Sequence, residues 1–294
     1  MRMIILGLAI ALGCSTPALA QAPMSTATII ASDPAPDATW PARLEVIHVP
    51  SGGVLINGIV YVASGPGPHP TLVLFHGLPG NEKNLDLAQA VRRAGWTVVT
   101  INYRGSWGSP GVFRFAQNLQ DADATLAFVR DPANATHLSI DPARIVIAGH
   151  SMGGWVTAET FAHDHGLLGA VMISAGDMGL VGKLAGQQRS VMVKMMDESR
   201  ETLVGVTGDA MADELIAHGD DWSFATLAPR LAGRRLLVLY SHDFVESHSA
   251  GLIAAIKATG ALPPDSAIVA TDHSWSDHRI ELETRVIDWL RRLP

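Results

Sequence analysis

One serine in the chain lies in a context that makes a hydroxyl group a nucleophile. Ser151 lies in the segment 149–154, Gly-His-Ser-Met-Gly-Gly, directly after the apolar run 145–148. A G-x-S-x-G turn between a strand and a helix presents the serine hydroxyl above the edge of a sheet. Glycines flank the serine because the turn has no room for a Cβ atom and strains the serine backbone. Ser151 is the predicted nucleophile, although the pentapeptide alone also fits an ordinary turn.

A serine hydroxyl needs a base that accepts its proton and a carboxylate that orients the base. In the chain order serine, acid, histidine, the acid follows a late strand and the histidine follows the last one. Asp243 lies in the turn after the apolar run 236–240, and His273 follows the run 267–270. The sequence therefore predicts Asp243 as the acid and His273 as the general base.

The acid and the base each have an alternative nearby. Glu246 is a second acid in the same turn, and His278 is a second histidine beyond the last strand. His273 is preferred because it lies nearer the strand end. Ser276 or Asp277 is typical of the cap of the last helix. His278 would then lie in the first turn of that helix, as a structural residue or a neighbour of the site.

The reaction also needs donors for the negative charge on the carbonyl oxygen in the transition state. Removing one donor typically costs about 3–4 kcal/mol. The turn 76–80, His-Gly-Leu-Pro-Gly, follows the third predicted strand and offers the amide of Leu78, whereas Pro79 has no N–H. The second predicted donor is the amide of Met152, at the start of a helix, where free amides and the helix dipole favour an anion.

The elements that must position these groups follow from the pattern of apolar residues. Strands that alternate with helices imply an α/β fold with a mostly parallel sheet, covered by helices on both faces. Apolar and β-branched runs predict eight strands, at 44–49, 54–62, 71–75, 96–101, 145–148, 169–174, 236–240 and 267–270. Helical spacing predicts helices at 84–94, 118–130, 248–259 and 277–292 and directly after Ser151.

One segment departs from this alternation. Residues 176–235 lie between the sixth and seventh predicted strands and contain no strand pattern. This segment is predicted to be a helical cap over the carboxyl edge of the sheet, where ligands bind in such folds. The methionines in the run 191–196 are interpreted as packing residues, with a flexible substrate pocket as the alternative.

Composition limits the classes of function. The 294 residues are 48% hydrophobic and 17% charged, which suits one large domain with a sizeable core. The formal net charge of −7 comes without a basic cluster, which argues against nucleic acid as a partner. No dinucleotide motif, phosphate-binding loop or zinc-ligand spacing occurs, so the sequence implies no cofactor and no metal.

The N-terminus has the pattern of a secretory signal peptide. A positive charge precedes the apolar run 4–13, and small residues end at Ala20. The run is too short to cross a bilayer as a helix. Cleavage is predicted after Ala20, followed by a flexible lead-in over 21–41 and one domain over 42–294, in the periplasm or outside the cell. An uncleaved helix and a lipid anchor are the alternatives.

Taken together, these motifs resemble the α/β-hydrolase superfamily over essentially all of the mature chain. The turn 76–80, the Ser151 motif, Asp243 and His273 follow strands three, five, seven and eight in the expected order. The segment 102–108, Asn-Tyr-Arg-Gly-Ser-Trp-Gly, is similar to the segment after strand four in prolyl-oligopeptidase-like and bacterial esterase-like hydrolases. Those peptidases usually carry an N-terminal propeller, which this sequence does not show. The resemblance therefore implies ester hydrolysis first and amide hydrolysis second.

The predicted function is that of a carboxylesterase-type serine hydrolase, which acts on a small-molecule ester through an acyl-enzyme. One alternative is a serine aminopeptidase for short peptides, which would hold a free amine with an acidic pair at 213–214 or 220–221. Another is a hydrolase-fold binding protein without activity. No oligomeric state follows from the sequence.

Overall fold

A computed structural model describes residues 24–294, in which eight strands form one sheet. The strands are β1 (Arg43–Ser51), β2 (Val54–Val62), β3 (His69–Phe75), β4 (Thr97–Ile101), β5 (Ile140–His150), β6 (Gly169–Ile173), β7 (Leu236–Ser241) and β8 (Asp265–Val269). Their spatial order is β1-β2-β4-β3-β5-β6-β7-β8; β2 pairs antiparallel with both β1 and β4, and the other described pairs are parallel. The predicted eight-stranded, mostly parallel α/β sheet is confirmed. The predicted signal peptide, residues 1–20, lies outside the described residues.

Helices cover both faces of this sheet. They are α1 (Thr26–Ala31), α2 (Leu85–Arg93), α3 (Phe115–Arg130), α4 (Pro132–His137), α5 (Met152–His163), α6 (Met178–Gln187), α7 (Arg189–Glu198), α8 (Gly208–Ala217), α9 (Phe224–Leu231), α10 (Glu246–Ala258) and α11 (Arg279–Leu290). Successive residues of a strand point to opposite faces. In β5, Val146 and Ala148 join the apolar cluster with α2 and α11, whereas Ile145 and Ile147 join the cluster with α3 and α5. Within residues 24–294, no helix has both the length and the apolar composition that crossing a bilayer requires.

Four helices, α6 to α9, occupy the segment predicted as a helical cap. The loop between α7 and α8 pairs with the loop between β4 and α3. Trp107 N donates to Thr202 O over 3.1 Å, and Val204 N donates to Gly105 O over 2.8 Å. On α7, Met192 and Met196 are buried, whereas Met195 is half exposed. Packing thus accounts for two of these three methionines.

Helix α1 lies within the segment predicted as a flexible lead-in. Its Ile29 is buried, the carbonyl of Ile29 accepts a hydrogen bond from Arg93 Nε over 2.7 Å, and Thr26 Oγ1 donates to Asp288 Oδ1 over 2.5 Å. A six-residue helix has little stability alone, so contacts with α2 and α11 stabilise it. Such distant contacts leave no signal in the local pattern.

A buried ion pair holds the loop between β4 and α3. Arg104 Nε donates to Asp121 Oδ1 over 2.7 Å, and Arg104 N donates to Asp121 Oδ2 over 2.8 Å. Ser51 Oγ donates to the same carboxylate over 2.5 Å. The Asp121 side chain is fully buried. The pair therefore ties the loop to α3 and to the end of β1.

Substitution of one partner should be costly because the other charge would stay buried. We expect Asp121→Asn to lower the free energy of unfolding by about 3–5 kcal/mol, measured by urea denaturation. Asp123→Asn on the same helix is the matched control, because the Asp123 side chain is half exposed and, among residues 24–294, pairs only with His163, at 2.9 Å. An exposed pair contributes about 1 kcal/mol or less. Equal effects of the two substitutions would contradict the structural role of Asp121.

Candidate active site

Ser151 lies at the sharp turn between β5 and α5. Its φ of +57° and ψ of −120° belong to a backbone conformation that L-residues rarely adopt. Three hydrogen bonds fix this turn: Ser151 N donates to Ile173 O over 3.0 Å, and Ser151 O accepts from Gly154 N over 2.9 Å and Gly176 N over 3.0 Å. Strained residues held in this way cluster at functional sites.

Close backbone approach explains the glycines around Ser151. A Cβ atom at Gly149 would lie 1.9 Å from the carbonyl oxygen of Gly153. One at Gly153 would lie 2.2 Å from the carbonyl oxygen of Phe75. Both contacts are with backbone atoms, which cannot move aside as a flexible side chain would. The helix after Ser151 thus starts directly against the ends of β5 and β3.

The turn 76–80 lies beside the hydroxyl group of Ser151. A Cβ atom at Gly77 would lie 2.9 Å from Ser151 Cβ and 3.5 Å from Ser151 Oγ. Within the described part of the chain, the amides of Leu78 and Met152 donate to no protein acceptor. Two unpaired amides flanking a serine are suited to bind an oxyanion.

Several neighbours anchor the turn 76–80. The carbonyl of Pro79 accepts hydrogen bonds from Trp107 Nε1 over 2.7 Å and from Thr202 Oγ1 over 3.3 Å. His76 Nδ1 donates to Gly77 O over 2.8 Å. Burial lowers the pKa of His76 to about 4, so this ring is neutral at pH 7. Thr202 belongs to the loop between α7 and α8, and Trp107 to the loop after β4. Both loops therefore hold the turn 76–80 beside Ser151.

His273 and Asp243 are joined by a short hydrogen bond. His273 Nδ1 lies 2.7 Å from Asp243 Oδ2. Asp243 also accepts from Ser241 Oγ and from Val245 N, each over 2.8 Å. Burial alone would raise the pKa of Asp243, but these three hydrogen bonds outweigh burial and lower it. Because a carboxylate only accepts, Nδ1 of His273 carries the hydrogen, and Nε2 is left free to accept a proton.

His150 connects the turn at Ser151 to the loop after β8, which carries His273. Its Nε2 donates to the carbonyl oxygen of His273 over 2.8 Å, and the two rings are 4.7 Å apart between centroids. Burial is the main cause that lowers the pKa of His150, to about 4. The ring of His273 thus lies beside the Ser151 turn. No hydrogen bond joins Ser151 Oγ to His273 within residues 24–294, and such bonds often form only once substrate binds.

The side chains of the alternative acid and base hydrogen-bond to residues other than His273 and Asp243. His278 Nδ1 lies 2.9 Å from Asp277 Oδ1, and Glu246 Oε2 lies 2.8 Å from His242 Nδ1. The predicted start of the last helix was wrong by two residues. Helix α11 begins at Arg279, and His278 itself occupies the cap position with no capping hydrogen bond from its side chain. The Asp277 side chain instead bonds to Thr271 and His278.

The acidic pairs considered for binding a substrate amine are engaged within the protein. Glu214 accepts from Phe115 N over 3.1 Å and from Ala116 N over 2.8 Å, so it caps the start of α3. The other three carboxylates lie within 4 Å of basic side chains, Asp213 at Arg189, Asp220 at Lys183 and Asp221 at His218. No cluster of three or more His, Cys, Asp or Glu side chains that could hold a metal ion occurs in the described range.

Known proteins share this fold. A family model described as "Alpha/beta hydrolase family" matches residues 72–285. Brefeldin A esterase, a bacterial homologue of human hormone sensitive lipase, aligns with a TM-score of 0.62 and 17% identity over 96% of this chain and 90% of its own. Pyrococcus horikoshii acylaminoacyl peptidase aligns with a TM-score of 0.63 and 17% identity over 86% of this chain and 41% of its own. At such identities these similarities concern the fold.

A curated relative covers a smaller part of the chain. An uncharacterized protein of Mycobacterium tuberculosis is 27% identical over 124 residues, which make up 42% of this chain and 42% of the relative. The chain thus spans about two fifths of the length of the curated relative that it matches, as it does for the peptidase. These two matches therefore concern only part of each protein.

If His273 activates Ser151, a fluorophosphonate probe should label Ser151 and depend on that histidine. We expect His273→Ala to slow labelling by about a thousandfold or more, because the serine loses its base. His278→Ala is the matched control, since that side chain pairs with Asp277, and should label at the wild-type rate. Labelling rates would be measured by intact-protein mass spectrometry. Equal slowing by both substitutions, or by neither, would contradict the assignment of His273.

Proposed function

The chain belongs to the alpha/beta hydrolase family, and we propose from this premise that it is a serine hydrolase that cleaves carboxylic esters. The observation that carries the proposal is the 2.7 Å contact of His273 Nδ1 with Asp243 Oδ2, beside the strained turn at Ser151. The amides of Leu78 and Met152, which have no acceptor among the described residues, support the proposal as donors for the oxyanion.

The first half-reaction forms an acyl-enzyme. Ser151 Oγ attacks the ester carbonyl carbon while His273 Nε2 takes the hydroxyl proton. The negative charge that develops on the carbonyl oxygen is stabilised by the amides of Leu78 and Met152. When the tetrahedral intermediate collapses, the bond between carbon and the alcohol oxygen breaks. His273 Nε2 then gives its proton to the departing alcohol, and Asp243 stabilises the imidazolium in between.

The second half-reaction uses water in place of the alcohol. His273 Nε2 takes a proton from water, whose oxygen attacks the acyl carbon. Collapse of the second intermediate breaks the bond to Ser151 Oγ, which regains its proton from His273. The products are the carboxylic acid and the free enzyme. No step requires a metal or an organic cofactor.

The positions of the acidic residues favour esters over peptides with a free amine. Such peptides need a free carboxylate near the site, yet Glu214 caps α3, and Asp213 and Asp220 pair with Arg189 and Lys183. Of the two solved structures named above, one is an esterase and the other is a peptidase. Their names therefore do not decide between ester and peptide cleavage. An inactive binding protein has less support, because decay of a site normally removes one of its reacting groups.

An assay with nitrophenyl esters of graded acyl length tests the proposal, with aminoacyl nitroanilides run in parallel. We expect ester turnover by the wild-type protein and a loss of about a thousandfold or more in Ser151→Ala, since the hydroxyl is the attacking atom. Ser199→Ala, at the half-buried C-terminal end of α7, is the control and should keep full activity. Equal ester hydrolysis by wild type and Ser151→Ala would refute the proposal, and faster nitroanilide cleavage would favour the aminopeptidase.

We also propose that the protein is exported to the periplasm or the medium, on the basis of the signal pattern in residues 1–20. The mature protein is then expected to begin at Gln21. Edman sequencing of protein purified from the periplasm or medium of the native host would check this. A chain that retains Met1 and stays with the cytoplasmic fraction would contradict export.

A further inference from the structure

A line of buried hydrogen bonds leads from Trp275, in the loop after β8, to Asp243. Trp275 Nε1 donates to Ser174 Oγ over 3.1 Å. Ser174 Oγ and Ser241 Oγ are 2.8 Å apart, and Ser241 Oγ donates to Asp243 Oδ2 over 2.8 Å. The side chains of Trp275, Ser174 and Ser241 are all fully buried. None of the three is a reacting group in the proposed mechanism.

The chemistry of the end groups sets the direction of this line. An indole N–H only donates, and a carboxylate only accepts. Ser241 has one hydroxyl hydrogen, which it donates to Asp243, so it accepts from Ser174. Ser174 in turn accepts from Trp275. Every donor therefore points toward the carboxylate, and hydrogen bonds aligned in this way strengthen one another.

Strand register explains why these residues meet. Ser174 directly follows β6, and Ser241 ends the neighbouring parallel strand β7. Ser174 N also donates to Leu239 O over 2.8 Å, which extends the strand pairing to this point. Ser174 and Trp275 have φ angles of +40° and +59°, conformations that cost energy in non-glycine residues. The surrounding structure thus holds two unfavourable backbone positions that place Trp275 and Ser174 in contact.

We propose that Ser241, Ser174 and Trp275 are positioning residues that hold Asp243 in the orientation that His273 requires. The inference rests on the proposed function for its kinetic consequences. Oxygen Oδ2 of Asp243 accepts from both Ser241 and His273, so a rotation of the carboxylate would disturb both bonds. Val245 N holds the second oxygen, Oδ1, over 2.8 Å. Together these donors leave the carboxylate one orientation.

The line also links the loop after β8 with the turn after β7, whose positions relative to each other must be fixed. Trp275 lies two residues beyond His273 in the same loop, and its indole is buried against the ends of β6 and β7. Trp275 N donates to Asp272 O over 3.0 Å, which closes the turn around His273. The same line thus connects the segment that carries the base with the carboxylate that orients it.

Serine substitutions test the line in order. We expect Ser241→Ala to lower kcat by about tenfold to a hundredfold, the effect of one lost hydrogen bond to a charged group, with KM nearly unchanged. Ser174→Ala and Trp275→Phe should have smaller effects, because they act through Ser241. The double variant Ser174→Ala/Ser241→Ala should be no slower than Ser241→Ala alone, as expected for residues coupled in series. Ser249→Ala is the control, because this buried serine hydroxyl has no hydrogen-bond partner in the described part of the chain.

A second readout separates this inference from the proposed function. The hydrogen on His273 Nδ1 should give a downfield proton NMR signal in the wild-type protein whether or not esters are cleaved. That signal should shift strongly in Ser241→Ala, less in Trp275→Phe, and stay in place in Ser249→Ala. The inference is overturned if Ser241→Ala matches Ser249→Ala in the signal, or if the Ser174 and Ser241 effects on kcat are additive. If the protein cleaves no ester but the NMR signal shifts among the variants in the expected order, only the proposed ester function would be rejected.

Discussion

The hydrogen bond between His273 Nδ1 and Asp243 Oδ2 is the interaction on which the site depends. It joins the turn after β7 to the loop after β8, and its length is 2.7 Å. A carboxylate that only accepts directs the imidazole hydrogen to Nδ1 and leaves Nε2 available for a proton. Both residues lie on loops, so their side chains need contacts with the rest of the fold to stay in this arrangement. The surrounding contacts therefore hold the two loops in place.

These supporting contacts come from different parts of the fold. His150, next to Ser151, donates to the carbonyl oxygen of His273 over 2.8 Å. Arg279, at the start of α11, donates to the carbonyl oxygen of Ser274 over 2.8 Å and also pairs with Asp86 on α2. The loop after β8 is thus held by His150, next to Ser151, and by Arg279, at the start of α11. In the proposed mechanism, these contacts would keep the reacting groups in position before substrate arrives.

The sequence predicts the sheet well because buried parallel strands are continuous apolar runs, which are easy to recognise in isolation. The five site residues, Ser151, Asp243, His273, Leu78 and Met152, follow from chain order along these strands, and they stay predictions until activity is measured. The contact between Ser174 and Ser241 could not be predicted, because it depends on the register of two strands far apart in sequence. Helix α1 and the capping of α3 by Glu214 likewise depend on tertiary contacts.

The central claim is that Ser151 carries the acyl group during turnover. Rapid acid quenching of a reaction with a nitrophenyl ester, followed by proteolysis and mass spectrometry, tests it most directly. We expect the acyl mass to appear on the peptide that contains Ser151, within the first turnover and before steady state. Ester hydrolysis with the acyl mass on another residue, or with no acylated peptide under conditions that trap a known acyl-enzyme, would contradict it.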